Sequence, residues 1–341
     1  MVNPSPTWRP QAWTGRTIAA GLLLSALVGC GAGVANPAAE NPTALPARGP
    51  GSIRALTAPD GRQYPVVPKQ PEQIAALLTA IETAQRNPST PEAQLPGLGH
   101  HQQVIYRQLA ASPGLAATVR QQLPLRWHRV LDHHLAARRA FLTMARGSQP
   151  RTTVPAWRIV PPEPAESLLR YYRKAAAATG IRWEVLAAVN LVETGMGRID
   201  GVSVANAQGP MQFLPSTWAE RGIGQGNIRD PHDAIQAAAR YLVRRGGLRD
   251  IRRGLWGYNN STEYGNAVLH YAALLSEDPL AYRGLYHWEI HVLTSRGDLW
   301  LPVGYSQQQR VSVAHHLRQM PWSAPAVAPG PSIRQDQSSL P

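Results

Sequence analysis

One cysteine, Cys30, occurs among 341 residues. That excludes an intrachain disulfide and a thiolate metal cluster, which needs several sulfur ligands. Long apolar runs are missing as well: Thr17–Val28 falls well short of the roughly 20 residues a helix needs to cross a bilayer. Acid is scarce, with 21 Asp and Glu against 34 Lys and Arg and a formal charge of +13. Such a chain suits a polyanionic partner. It has no clustered Lys/Arg block of the kind that tracks a nucleic-acid backbone, so nucleic acid is not expected as the partner. There is no phosphate loop and no cluster of metal-ligand spacing, so neither metal nor cofactor is expected. Between residues 160 and 275 no run of alternating strands occurs, which makes that region all-α.

The N-terminal segment does have a recognisable layout. Arg9 and Arg16 precede Thr17–Val28, and a short apolar core behind positive charge has the shape of a signal peptide. It ends in Leu27-Val28-Gly29-Cys30, a small-residue tetrad that resembles a bacterial lipobox. The resemblance implies removal of residues 1–29, lipidation of Cys30, and an exported protein held by acyl chains on the extracytoplasmic face of a bacterial membrane. Residues 30–70, rich in Ala, Pro and Gly without sustained periodicity, read as a flexible tether.

Helical periodicity sets in over residues 71–146. Ile74, Leu77, Leu78 and Ile81 form one stripe, Val104, Ile105 and Leu109 a second, and Trp127, Val130, Leu131, Leu135 and Leu142 a third. The pairs His100-His101 and His133-His134 do not suit a metal, because adjacent helical residues point apart. His128 and Asp132 have the useful spacing of four but supply only two ligands. Solvated or capping histidines are expected. Residues 147–163, with four prolines, read as a linker.

A second helical unit follows over 164–276. Leu168, Leu169 and Tyr172 give an amphipathic helix that stops at Gly180. Ser216 could cap a short helix, and Asp230-Pro231-His232-Asp233 combines an N-cap, Pro at the first helical position and acid in the first turn. Ser261 or Thr262 caps a helix bearing Val268, Tyr271 and Leu275. Over 284–304 the period changes to two, with a turn at Ser295-Arg296-Gly297-Asp298, which predicts a β-hairpin within a 277–321 extension. Ser306-Gln307-Gln308-Gln309 reads as a capping box opening a last short helix. Residues 322–341 read as a disordered Pro/Ser/Gln tail.

The most informative stretch is 182–218. At roughly 100° per residue, Val185, Leu186, Val189 and Val192 share a helix face, and Glu193 falls within that arc. Burial there would raise the carboxyl's pKa, as a general acid near neutral pH requires. A frayed helix end that leaves Glu193 in water is the alternative. Gly195, Gly197, Gly201 and Gly209 allow tight turns downstream. Asp200 is the nearest acid downstream, in a Gly-rich loop, and Arg198 could pair with it.

Glu193-Thr194, the run Gly209-Pro210-Met211-Gln212-Phe213-Leu214-Pro215-Ser216-Thr217-Trp218 and Gly257-Tyr258-Asn259 resemble, in order, the motifs of lytic transglycosylases of the soluble, goose-type-lysozyme-like superfamily. Val192–Arg198 also resembles the membrane-bound B-type enzymes. The resemblance covers roughly residues 160–275 and implies a mainly-α chain with a lysozyme-like catalytic domain, preceded by the helical region and followed by the hairpin. It implies a peptidoglycan substrate and Glu193 as the single acid and then base, giving 1,6-anhydro-MurNAc. Thr194, Met211, Gln212, Tyr258, Asn259 and Tyr264 would hold the sugar or support the site. Thr194 stands where the family usually carries Ser and keeps a hydroxyl for the Glu193 carboxylate; Gly257 stands where Ala is commoner. A hydrolytic lysozyme, favoured if Asp200 or another acid lies near the site, and a non-catalytic wall-binding lipoprotein are the rival readings.

Overall fold

Pro71, Pro113 and Pro231 each stand at the first turn of a helix, where a missing amide hydrogen costs nothing. A computed structural model describes residues 57–325. The signal segment, Cys30, the tether as far as residue 56 and the tail from 326 lie outside the described residues.

Twelve α-helices occur among the described residues: α1 (Pro71–Arg86), α2 (Leu95–Ala111), α3 (Pro113–Gln122), α4 (His128–Met144), α5 (Ala165–Thr179), α6 (Trp183–Thr194), α7 (Pro215–Trp218), α8 (Pro231–Arg244), α9 (Ile251–Asn259), α10 (Thr262–Glu277), α11 (Ala281–Tyr286) and α12 (Val313–Gln319). The chain is mainly α, as expected. Gly180 ends α5 in the left-handed conformation. Asp230 caps α8 by accepting from the Asp233 amide, and Ser261 caps α10 by accepting from that of Tyr264.

Two expected caps are corrected. Ser216 lies inside α7, whose N-cap is Leu214. Ser306 opens no helix, because it forms a β-bridge with Arg158; Ser312 caps the final helix instead.

The helices of 71–146 do not form a core of their own. Their stripes join those of α5–α11 in one hydrophobic core that includes Ile74, Leu109, Leu131, Leu186, Val268 and Leu285. The central packing is α10 against α4 on one side and α6 on the other. Neither are the histidines of this region solvated throughout: His100 and His134 are 1 % exposed. His100 Nε2 lies 3.0 Å from His291 Nε2, and His134 stacks on Tyr106. His128 meets the Leu123 carbonyl and Asp132 pairs with Arg120, so these two hold no common ligand.

A second, smaller core gathers three antiparallel two-stranded pairs. β1 (Thr153–Val154) pairs with β6 (Val311–Ser312), β2 (Arg158–Ile159) with β3 (Ile199–Asp200), and β4 (Ile290–Thr294) with β5 (Gly297–Leu301). Residues 147–163 are thus more than a linker. They carry β1 and β2, and the Tyr305 hydroxyl donates to the Pro155 carbonyl at 2.6 Å.

The hairpin begins later than its alternation suggests. Residues 281–286 are helical, and Trp288 donates from Nε1 to Gln102 Oε1 at 2.8 Å. Both hairpin faces are covered. Ile290, Val292, Leu299 and Leu301 enter the second core, and Trp300 meets Ala58, Tyr64 and Val104 on the other side.

Residues 57–70, read as part of a tether, therefore pack on the hairpin. Arg62 pairs with Glu289 at 2.7 Å, and its guanidinium lies 5.0 Å from the Trp300 ring centroid. At the other end of the chain Trp322 packs on Trp300 and Ser323 is buried, so the folded part runs past residue 321. Trp300 has no exposed surface and touches both ends of the described residues. Trp300→Ala is expected to lower stability by about 3–5 kcal/mol, read as a lower midpoint in urea denaturation.

Candidate active site

α6 is buried all round rather than along one stripe: each residue from Val185 to Thr194 is buried. Glu193 is therefore enclosed whichever way its turn faces, and it has no exposed surface. Gly195 ends the helix at φ +61°, where a β-carbon would meet Ile290 Cδ1 at 2.6 Å. Close approach of the hairpin thus fixes the helix end one residue after Thr194.

Glu193 Oε1 accepts from the Tyr264 hydroxyl at 2.7 Å, and Oε2 has no hydrogen-bond partner among the described residues. Burial pushes the Glu193 carboxyl up to about 8; the Tyr264 hydrogen bond pulls the other way and does not offset it. A carboxyl of this kind is mostly protonated at neutral pH, with one oxygen fixed and the other free. A ligand reaches Oε2 only by displacing the groups that seal it.

Opposite lies a tight loop, closed by reciprocal backbone hydrogen bonds between Gln208 and Phe213. Gly209 adopts φ +72°, and a β-carbon there would sit 1.9 Å from the Ile228 carbonyl oxygen. Gln212 adopts φ +50°, a strained conformation for a residue with a side chain. Three side chains clamp the loop through its carbonyls. Pro210 O accepts from Thr194 Oγ1 at 2.6 Å and from Asn190 Nδ2 at 2.9 Å, and Met211 O accepts from the Tyr258 hydroxyl at 2.7 Å.

These bonds correct two expectations. The Thr194 hydroxyl donates to Pro210 and accepts from the Gly197 amide at 3.0 Å, so it does not serve the Glu193 carboxylate. Tyr258 offers no open face to a sugar. It is 1 % exposed, enclosed by Phe213, Tyr241 and a parallel Tyr264 ring at 6.4 Å. Its role is to hold the loop. Gly257 is explained by steric fit, since a β-carbon there would lie 2.8 Å from Arg245 Cβ and Cγ.

Met211 packs into the core beneath the loop, as expected. Gln212 donates from Nε2 to Gly209 O at 2.8 Å; among the described residues its buried Oε1 has no partner, and neither have the two buried amide atoms of Asn259. Leaving such groups unsatisfied costs about 1–3 kcal/mol each, and a ligand that pairs them recovers it.

Residues 170–270 match the family model of the transglycosylase SLT domain. The chain carries an SLT domain. That domain is the lysozyme-like one of lytic transglycosylases, which act on peptidoglycan. No curated protein and no solved structure matches the chain.

Within the SLT domain the structure brings together Glu193 with Tyr264, and Thr194 and Tyr258 with the Pro210-Met211 carbonyls. Asn190 was not singled out by sequence reasoning. Its signal was a polar residue inside an apolar helix, one turn before Thr194, where the Tyr172 hydroxyl donates to its Oδ1 at 2.7 Å.

Asp200 is set apart. It is ion-paired with Arg158 and Arg229, not with Arg198, whose guanidinium donates to the Gly195 carbonyl instead. Among the described residues, Asp230, His232 and Asp233 form the one group with metal-ligand geometry. Each has another role there: Asp230 caps α8, Asp233 accepts from the Asn227 amide, and His232 meets Lys174.

Proposed function

We propose that the protein cleaves the β-1,4 bond between MurNAc and GlcNAc in peptidoglycan and closes the product to 1,6-anhydro-MurNAc. The observation that carries this reading is a buried, elevated carboxyl whose Oε2 is free while Tyr264 holds Oε1. Protonated Glu193 gives its proton to the glycosidic oxygen as the bond to C1 breaks, with the substrate's acetamido group assisting at C1. The ionised carboxylate then takes the proton of the MurNAc C6 hydroxyl as that oxygen bonds to C1. The enzyme returns to its starting state, and no water is consumed. Ordinary retaining or inverting glycosidases add a second carboxylate about 5–9.5 Å from the first. No other acid contributes to the elevation of Glu193, and Asp200 is engaged by two arginines, which favours the single-carboxyl route over hydrolysis.

Gln212 and Asn259 have the unpaired amide groups that sugar hydroxyls or an acetamido group would satisfy. With Tyr258 enclosed, the exposed aromatic of α9 is Trp256, one turn before Asn259 and 53 % exposed. We assign it as a candidate platform for a sugar ring of the glycan strand. Trp256→Ala is expected to raise KM several-fold with kcat kept; an unchanged KM removes it from the site.

Tyr264→Phe removes the one hydrogen bond that favours the charged carboxylate. The alkaline limb of kcat/KM should therefore move to higher pH. The rate should fall by about tenfold to a hundredfold, since the ionised intermediate loses a hydrogen bond worth about 1.5–3 kcal/mol.

Mass spectrometry of soluble products, released from isolated peptidoglycan by the full chain, tests the reaction itself. Ends carrying anhydro-MurNAc, lighter by one water, are expected. Reducing MurNAc ends would make the enzyme a hydrolase.

Lipidation at Cys30 and export of the chain belong to the same proposal. The composition of residues 1–30 supports them, and a membrane-bound wild type with a soluble Cys30→Ala variant is the expected outcome of fractionation.

A further inference from the structure

A cavity of about 50 Å³ lies between α2 and α4 on one side and α6 and α10 on the other. Its wall includes Leu191, Val192 and Gly195, the residues flanking Glu193 in the chain. Also on its wall are Arg107, Arg138, His134 and Glu289. The charges do not balance. Arg107 is held by Asp298, through Nε at 2.6 Å and through a second nitrogen, and Glu289 is paired with Arg62. His291 lies between His100 and Asp298, and burial holds both histidines below the usual imidazole range. His134 is also held neutral by burial.

That leaves Arg138. It makes no hydrogen bond or ion pair with any described residue, and its Nε is sealed from solvent. Burial lowers its pKa only to about 10, so it is charged at physiological pH. Asp298 offsets part of its charge but is already bonded to Arg107, so two guanidiniums share one carboxylate. The sealed Nε is left without a hydrogen-bond partner, a cost that a bound anion would relieve. The His134 Nδ1 beside it is also buried without a partner.

We propose that this cavity binds a compact oxyanion, of the size of phosphate or a small carboxylate, with Arg138 as its counter-charge and His134 as a neighbouring hydrogen-bond partner. The volume admits a few water-sized groups and excludes a sugar ring. It is thus distinct from the glycan site, and its test does not depend on the reaction chemistry.

Calorimetric titration of the full chain with sodium phosphate, and separately with sodium acetate, at constant ionic strength tests it. Saturable one-to-one binding of at least one of them is expected. The phosphate arm reports a free divalent anion and the acetate arm a carboxylate. Arg138→Gln should weaken the binding at least tenfold, with Arg138→Lys in between. No saturable binding of either anion by the wild type, or equal affinity in Arg138→Gln, overturns the proposal. A second readout needs no ligand. In anion-free buffer Arg138→Met should raise the melting temperature, since it removes a buried charge that is only partly offset and keeps the shape. Saturating anion should raise the wild type and leave the variant unmoved. A variant that melts lower than wild type in anion-free buffer would show that Arg138 is already satisfied, and would also overturn it.

Discussion

Glu193→Gln is expected to lower the release of soluble fragments from peptidoglycan by about 10³-fold or more. Positioned proton transfer contributes roughly 10²–10⁴ in rate. In the proposed reaction one carboxyl handles both transfers, so the loss belongs at the upper end. The substitution is nearly isosteric. Its amide oxygen can still accept from the Tyr264 hydroxyl, and the loop clamped by Asn190, Thr194 and Tyr258 does not touch the changed atom. Binding to sedimented peptidoglycan should therefore persist while turnover disappears. A variant that keeps more than about a tenth of the activity would show that the proton comes from elsewhere.

The same substitution should change the pH dependence of stability. Burial raises the Glu193 carboxyl from 4.5 to about 8 in the folded state. Between those values the folded chain holds a proton that the unfolded chain has released, so folding stability falls as pH rises. Below about 4.5 the group is protonated in both states and this contribution to stability is fully present. It is lost progressively up to about pH 8, at about 1.4 kcal/mol per pH unit, and does not fall further above it. Glu193→Gln removes this slope. Wild type and variant should be alike near pH 4, and by pH 8 the variant should be more stable by a few kcal/mol. Urea denaturation at a series of pH values measures the difference; parallel curves for the two proteins would mean that the carboxyl is not desolvated. In the proposed reaction the activity should follow the same group with the same sign, since the acid form is lost above about pH 8.

Some helix caps, the turn glycines and the order of motifs were legible in the sequence because each depends on residues close in the chain. Asp230, Ser261 and Gly180 act at their own helix ends. The burial of Glu193 was legible only in part. Periodicity put it on an apolar arc, whereas the actual cause is a helix covered on every side by α5, α8, α10 and the strand at Ile290.

The roles of polar groups in the site were not legible from type and spacing alone. A threonine hydroxyl beside a glutamate can serve the carboxylate or a carbonyl across the loop, and only the fold brings Pro210 within 2.6 Å of Thr194. A tyrosine at the end of a helix can face a sugar or the core. Tyr258 faces the core because Phe213, Tyr241 and Tyr264 surround it.

By itself, then, the sequence determined the mainly helical class and the position of the SLT domain motifs, Glu193-Thr194 among them. Those features rest on local periodicity and on neighbours along the chain. Tertiary structure alone decided that residues 71–146 share the core of the SLT domain, that residues 57–70 and Trp322 meet at Trp300, and that Arg138 Nε is buried without a hydrogen-bond partner. Each of these depends on contacts between segments far apart in the chain, where the identity of the partner residue, and not the local pattern, sets the energy.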